Sequence, residues 1–373
     1  ENLVHYPNRP APTRRTMISV LALAPLLAAC SSEDDKPKVD PSASSYGTLR
    51  VGIGALREMR AVAYLYAQAL RNVGYNVEVV TNEDSRSKFL DALKQTEANT
   101  PEPDTLDLVI DYSGDLLLHL TNDGKLSPAQ IQAERQAASA SASAASAGVT
   151  LPPTPTNTPS HDASASEGAT ASPSGAINAR ALNITDTVAA INRVLPEHLE
   201  LLDVANAQNR DVLVTTRQNE VQHKLRSLAN LADVKATLSF ALTSGYTSSN
   251  YGVASLKTVY KYTVENPILN ENSAERVSML SKDTAQVVLL HSADPAIEDN
   301  RFTTLEDPQT TQLNQQLLPI ARRNLPDSAR EAINRVSSTL DTGNLSFLLR
   351  LTSGTNPIAD DEAAKFLLEH PRK

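Results

Sequence analysis

Residues 107–115 read DLVIDYSGD, and the reading of this stretch decides the fold. Leu108, Val109 and Ile110 form the continuous apolar run of a strand buried on both faces. A polar and aromatic turn follows, from Asp111 to Asp115, and then an apolar helix, LLLHL. A strand that passes through a short turn into a helix is the unit of an open α/β sheet, in which ligands collect beyond the carboxyl ends of the strands. Here that end carries two carboxylates and a phenol. A full negative charge and a ring quadrupole both attract a compact organic cation, so Tyr112 and Asp115 are candidate ligand residues. The alternatives are a helix N-cap for Asp115 and a packed core position for Tyr112.

The preceding residues supply the rest of this sheet. Residues 49–53 read as a strand, and residues 58–73 place Val62, Leu65, Tyr66, Ala69 and Leu70 at helical spacing, closed by Gly74. Residues 76–80 are a second strand, and residues 85–95 a second helix with Phe89, Leu90 and Leu93 on one face. The order β-α-β-α-β implies a parallel sheet with right-handed crossovers. Tyr64 and Tyr66 have core spacing. Arg57 and Glu58, in the loop after the first strand, are placed either to meet a ligand carboxylate and ammonium or to form a surface ion pair.

Residues 137–180 are dominated by Ala, Ser, Thr and Pro. Such a stretch buries too little apolar surface to offset chain entropy, so it is expected to be a disordered insertion across which the fold continues. Order returns with a helix over 183–195 and a strand over 211–216. A short helix over 225–234 leads into a strand over 236–242, and a helix over 275–281 precedes the buried-type strand 286–290. That strand ends in His291-Ser292-Ala293-Asp294-Pro295, again an imidazole and a carboxylate at a strand tip. A second β/α lobe with its strand ends aimed at the first puts ligand groups on both walls of a cleft. His291 and Asp294 are therefore candidates, and Tyr246 and Tyr251 either line the same cleft or pack the surface of the second lobe. Helices over 326–340, 343–351 and 360–370 return to the first lobe. The expected division is lobe I over 48–136, continued over 181–212, lobe II over 213–307, and the return over 308–373.

Composition narrows the function. The chain carries 43 acidic against 34 basic residues, a formal net charge of -9, without basic runs interleaved with aromatics, which argues against nucleic acid as a partner. One cysteine excludes an intrachain disulfide and argues against a Cys/His zinc site. No nucleophile elbow, HExxH motif or glycine-rich phosphate loop is present, so no catalytic residue, metal or cofactor is expected. The cysteine is Cys30, at the end of RRTMISVLALAPLLAAC: two arginines, an apolar run too short to span a bilayer comfortably, then small residues. This is the pattern of a secretory signal over residues 1–30. Residues 31–47 read as a flexible tether.

The ending Leu27-Ala28-Ala29-Cys30 resembles a lipobox, whose cysteine is acylated. The chain as a whole resembles the substrate-binding lipoproteins of osmoprotectant ABC transporters, the glycine betaine, carnitine and choline binding proteins. The segments that carry the resemblance are TLRVGIG with YLYAQALRNVGYNVEVV, LDLVIDYSGDLLLHL, LRSLANLADV, NYGVASLKTVY, AQVVLLHSADPAI and LPDSAREAINRVSSTL. The resemblance implies an α/β, two-lobed type II periplasmic-binding fold with a hinge and central cleft. It implies an extracytoplasmic, monomeric solute receptor, held to the outer face of the membrane through lipidated Cys30, which delivers a small cationic or zwitterionic solute to an ABC permease and its ATPase. In that family a box of tyrosines holds the trimethylammonium head, and Tyr112 matches its binding tyrosine. Asp115 stands where the family often has Thr, Met59 where a Gln is usual after Glu58, and His291 where a Tyr is usual. Asp211 and Val212 stand near its asparagine-tyrosine step at the lobe crossing. Fewer aromatic walls and more ionisable groups suggest a cation with hydrogen-bonding capacity, choline-like or polyamine-like. The other reading is a surface lipoprotein that keeps the fold but has a divergent or lost ligand and acts through interactions.

Overall fold

The computed structural model describes residues 37–54, 56, 58–81, 85–93, 105–146 and 177–372. Lobe I begins with β1 (Thr48–Gly52), α1 (Met59–Asn72), β2 (Asn76–Val80), α2 (Arg86–Ala92), β3 (Leu108–Tyr112) and α3 (Ser113–Leu120). β1 pairs in parallel with β2 and with β3. The chain then forms α4 (Pro128–Ser146), α5 (Ile184–Val194) and β4 (Leu199–Leu201) and crosses to lobe II. Lobe II contains β5 (Asp211–Thr215), α6 (Arg217–His223), β6 (Phe240–Leu242), α7 (Ser244–Ser248), α8 (Val253–Tyr260), β7 (Ile268–Leu269), α9 (Ser273–Ser281), β8 (Val287–His291), α10 (Pro295–Asp299) and β9 (Thr303–Thr304). The chain crosses back into β10 (Leu317–Arg322) and ends with α11 (Asp327–Thr339), α12 (Thr342–Thr352) and α13 (Asp360–Glu369). The two sheets are mixed, with strand orders β2-β1-β3-β10-β4 and β7-β6-β8-β5-β9.

The two crossings lie side by side and form the hinge. Gln208 and Gln316 make an antiparallel bridge between them, Asn209 N–H donates to the Gln315 carbonyl, and Leu317 N–H donates to the Ala207 carbonyl. Ala205 and Ala207 are wholly buried, which lets the two backbones lie against the body of lobe I. On the outer face of that lobe, Ala63 and Ala67 of α1 and Ala363 and Ala364 of α13 are buried, small side chains that allow close approach where these helices pack.

Four sequence expectations meet a different structure. The polar turn after residue 110 does not form: β3 runs on through Asp111 and Tyr112, every residue of it buried, and α3 starts at Ser113. Asp115 therefore sits inside the first turn of α3 and is not its N-cap. Asp111 can stay in the strand because the Arg86 guanidinium pairs with it. Second, α4 continues to Ser146, into the stretch expected to be disordered; its Ala-rich composition favours helix even without an apolar face. Third, the tether does not extend to residue 47. Asp40 N–H donates to the Val73 carbonyl, Ala43 is buried, and the Tyr46 hydroxyl accepts from Arg322 Nη2 at 2.7 Å, so this segment is docked on lobe I. Fourth, the helix expected over 225–234 is a 3-10 segment, Leu228–Asp233, capped by Ser227. The signal segment with Cys30, the loop residue Arg57 and residues 147–176 of the insertion lie outside the described residues.

Candidate functional site

β3 and β8 end at the same place from opposite lobes, and the group that joins them is Glu58, at the N-terminus of α1. Two donors and an imidazole converge on one oxygen, Glu58 Oε1. The Tyr112 hydroxyl donates at 3.2 Å, Asn209 Nδ2 donates at 3.2 Å, and His291 Nδ1 lies 3.5 Å away. Asn209 Nδ2 also donates to the Tyr112 phenolic oxygen at 2.7 Å, while Asn209 Oδ1 accepts the Ala293 N–H at 3.0 Å. One hinge side chain thus holds lobe I by its amide nitrogen and lobe II by its amide oxygen. On the other side of the imidazole, His291 Nε2 lies 3.3 Å from Asp211 Oδ1, its register partner across β5 and β8.

The electrostatics follow from this packing. Burial and the neighbouring Glu58 charge push the Tyr112 phenol well above its ordinary range, against the hydrogen bond from Asn209. For His291, burial disfavours the charged ring, but the hydrogen bond to Asp211 and the charges of Asp211, Glu58 and Asp294 outweigh it, so its pKa is raised. Asp294 caps α10 through the Ala296 N–H at 2.9 Å, and burial raises its pKa against that bond and the His291 charge.

Among the described residues, the remaining candidates make no hydrogen bond to Glu58 or His291, although the Asp211 charge acts on Asp115 and Tyr246. Asp115 is engaged by lobe I itself: Gln315 Nε2 donates to its Oδ1 at 2.6 Å and Arg86 Nη2 to its Oδ2 at 3.3 Å. Burial raises its pKa, with the Arg86 charge and the Gln315 bond opposing. The same guanidinium grips Asp111 by two bonds, at 2.5 and 2.8 Å. Met59 is buried, its side chain filling the space beside Gly54. Tyr246 is buried in the lobe II core, its hydroxyl accepting from Gln312 Nε2 at 3.2 Å, and burial pushes its pKa upward. Tyr251 packs against the second apolar cluster of lobe I, with the Arg180 guanidinium 5.4 Å from its ring centroid.

Sequence reading missed Asn209, Arg86 and Gln315. An Asn just before a strand and a Gln in a polar run carry no local signal; their side-chain partners, Glu58, Tyr112 and Ala293 for Asn209 and Asp115 for Gln315, come from distant parts of the chain. Arg86 was legible as a helix-start residue but not as the counter-charge of Asp111.

The sequence matches the family model of the substrate-binding domain of ABC-type glycine betaine transport systems over residues 47–369. No curated protein matches this sequence. Among solved structures, a glycine betaine/carnitine/choline ABC transporter protein superposes with a TM-score of 0.61 at 13% identity, covering 86% of this chain and 98% of its own. Apo YehZ from Escherichia coli superposes with a TM-score of 0.54 at 14% identity, covering 87% and 99%. At such identities the likeness is one of fold, and the fold is the two-lobed type II periplasmic-binding architecture. The match over residues 47–369, together with two mixed sheets joined by a paired hinge, makes this protein a member of the family of substrate-binding domains of ABC-type glycine betaine transport systems.

Proposed function

We propose that this protein is the extracytoplasmic receptor of an ABC importer and binds a small organic cation of the choline or betaine class at the lobe junction. The observation that carries the reading is the convergence of Tyr112, Asn209 and His291 on Glu58 Oε1, with Asp211 and Asp294 beside them. Carboxylates outnumber cationic groups there, and a phenol ring stands at the strand tip, which suits a positively charged head. Binding energy spent across both lobes would favour the closed state, which the permease would recognise. Cys30, acylated, would hold the receptor at the outer face of the membrane.

The test is thermal unfolding with choline, glycine betaine, carnitine and putrescine. A stabilisation that saturates with one of them, and is lost in Glu58→Gln and Tyr112→Ala, supports the reading. A flat response to all four sinks it. One observation favours a second reading, that the fold has a divergent or lost ligand and acts through interactions: the Tyr112 side chain is only 1% exposed, and its hydroxyl and the Glu58 carboxylate already satisfy each other. Mass analysis of the membrane-extracted protein tests the acylation of Cys30.

A further inference from the structure

Both ring nitrogens of His291 face carboxylate oxygens, Nδ1 toward Glu58 of lobe I and Nε2 toward Asp211 of lobe II. Ionised carboxylates only accept, and a neutral imidazole has a single N–H, so in the neutral ring one of these contacts would set lone pair against lone pair. The doubly protonated ring satisfies both. We propose that His291 is a positioning residue whose imidazolium ties lobe I to lobe II through Glu58, so that the proton it carries sets how firmly the lobes are held together.

The charges around it agree. From β8 itself and the loop after it come His291 and Asp294, the N-cap of α10; from the start of α1 comes Glu58, from β5 Asp211, and from β3 the Tyr112 phenol, which donates to Glu58. Among the described residues, the Arg276 guanidinium of α9 acts on Asp211 and Asp294 while its Nε and Nη1 donate to the Leu289 and Asn270 carbonyls. A second tie joins α10 to α12 without a histidine: Arg350 Nη2 donates to Asp299 at 2.7 Å and to Glu298 at 3.0 Å. Among the described residues, the His291 contact is the tie between the lobes that runs through an imidazole. Its sign is fixed: a pKa raised in the folded protein means that the tie is fully present below the ordinary histidine value and is lost as pH rises through the raised one.

A consequence rests on the function proposed above. A cationic solute that takes the Glu58 and Asp211 carboxylates must displace the imidazolium charge, and the ring then gives one proton to solvent as the solute binds. Choline affinity would rise with pH, by up to about tenfold per unit below the histidine pKa.

The experiment uses the full chain without solute. The His291 ring is followed by nuclear magnetic resonance across pH, and the lobe separation by pulsed electron resonance between a label on each lobe. The expected result is a titration above the ordinary 6.5, brought down in Glu58→Gln and in Asp211→Asn, with a lobe separation that grows through the same midpoint and is flat in His291→Gln. A ring that titrates at or below 6.5, or a separation with the same pH dependence in His291→Gln, overturns the tie. Choline titrations at two pH values then read the exchange, and a wild-type affinity equal at both overturns the proton's part in binding. Failure of choline, glycine betaine and putrescine to bind at any pH would count against the proposed function alone, because the solute-free measurements decide the tie without them.

Discussion

Asn209 Nδ2 donates to the Tyr112 hydroxyl at 2.7 Å, so the hinge is bonded to the tip of the strand that carries the candidate ligand tyrosine. The phenol oxygen is thereby committed to the protein, and the ring beneath it is buried in the core of lobe I. Removing Asn209 strips a buried donor from both Tyr112 and Glu58 and a buried acceptor from Ala293. Asn209→Ala is expected to cost about 1–3 kcal/mol. Tyr112→Phe is expected to cost less, because only the hydroxyl goes. The two changes should couple by about 1 kcal/mol in a double-mutant cycle read by urea unfolding; strict additivity would mean that the bond contributes nothing.

Arg86 matters for a different reason. The Asp111 side chain is only 4% exposed, and the guanidinium is its counter-charge. Arg86→Ala leaves a carboxylate buried in β3 and is expected to destabilise by about 3–5 kcal/mol. Arg86→Lys should recover only part of this, since an ammonium cannot supply the two-bond fork. The double variant Arg86→Ala with Asp111→Asn should be more stable than Arg86→Ala alone. Thermal unfolding of the three orders them.

Gly114 is required by a close approach. A Cβ there would lie 2.5 Å from the Asn314 carbonyl oxygen and 3.0 Å from Leu313 Cβ, so the returning hinge segment would have to move. Gly114→Ala is expected to cost about 1–3 kcal/mol. Gly245, inside α7, meets nothing within 4 Å, and Gly245→Ala should be neutral or stabilising by up to about 1 kcal/mol. Equal effects at the two positions would refute the steric account.

Asp40 gives a pH prediction. Hydrogen bonds from Ser328 and Ser42 hold its carboxyl below the ordinary 3.8. A lowered acid contributes stability above its unfolded value and loses it as pH falls through the folded one. Acidification should therefore loosen the segment around Ala43, seen as faster amide exchange at Ala43, Ser45 and Tyr46 relative to the core of β1. In Asp40→Asn those amides should exchange at a rate, corrected for intrinsic chemistry, that no longer depends on pH.

Elements were legible where their apolar spacing is strong: α1 has Val62, Leu65, Tyr66 and Leu70 on its buried side, and β8 is four apolar residues before His291. β10 was not. It fills the middle of the lobe I sheet with every residue buried, yet it contains Pro319, which as a sequence signal points to an edge. The structure tolerates it because the Pro319 carbonyl accepts the Leu202 N–H just beyond β4, so the missing donor falls where that short ladder ends. Of the candidate residues, the two at strand tips, Tyr112 and His291, are the ones the structure brings together at Glu58. The partners of Asp115, Arg86 and Gln315, were not legible as such because they come from distant parts of the chain.

The placement of β10 between β3 and β4 bears on how the molecule is made. All of β5 to β9 is contiguous, so lobe II is complete before the ribosome reaches residue 317, whereas β3 and β4 wait without the strand that separates them. A polypeptide truncated ahead of β10 would retain one foldable half and leave the other with a gap through its centre. Synthesis of such a chain, amino terminus first, therefore leaves the earliest-translated lobe as the last to close.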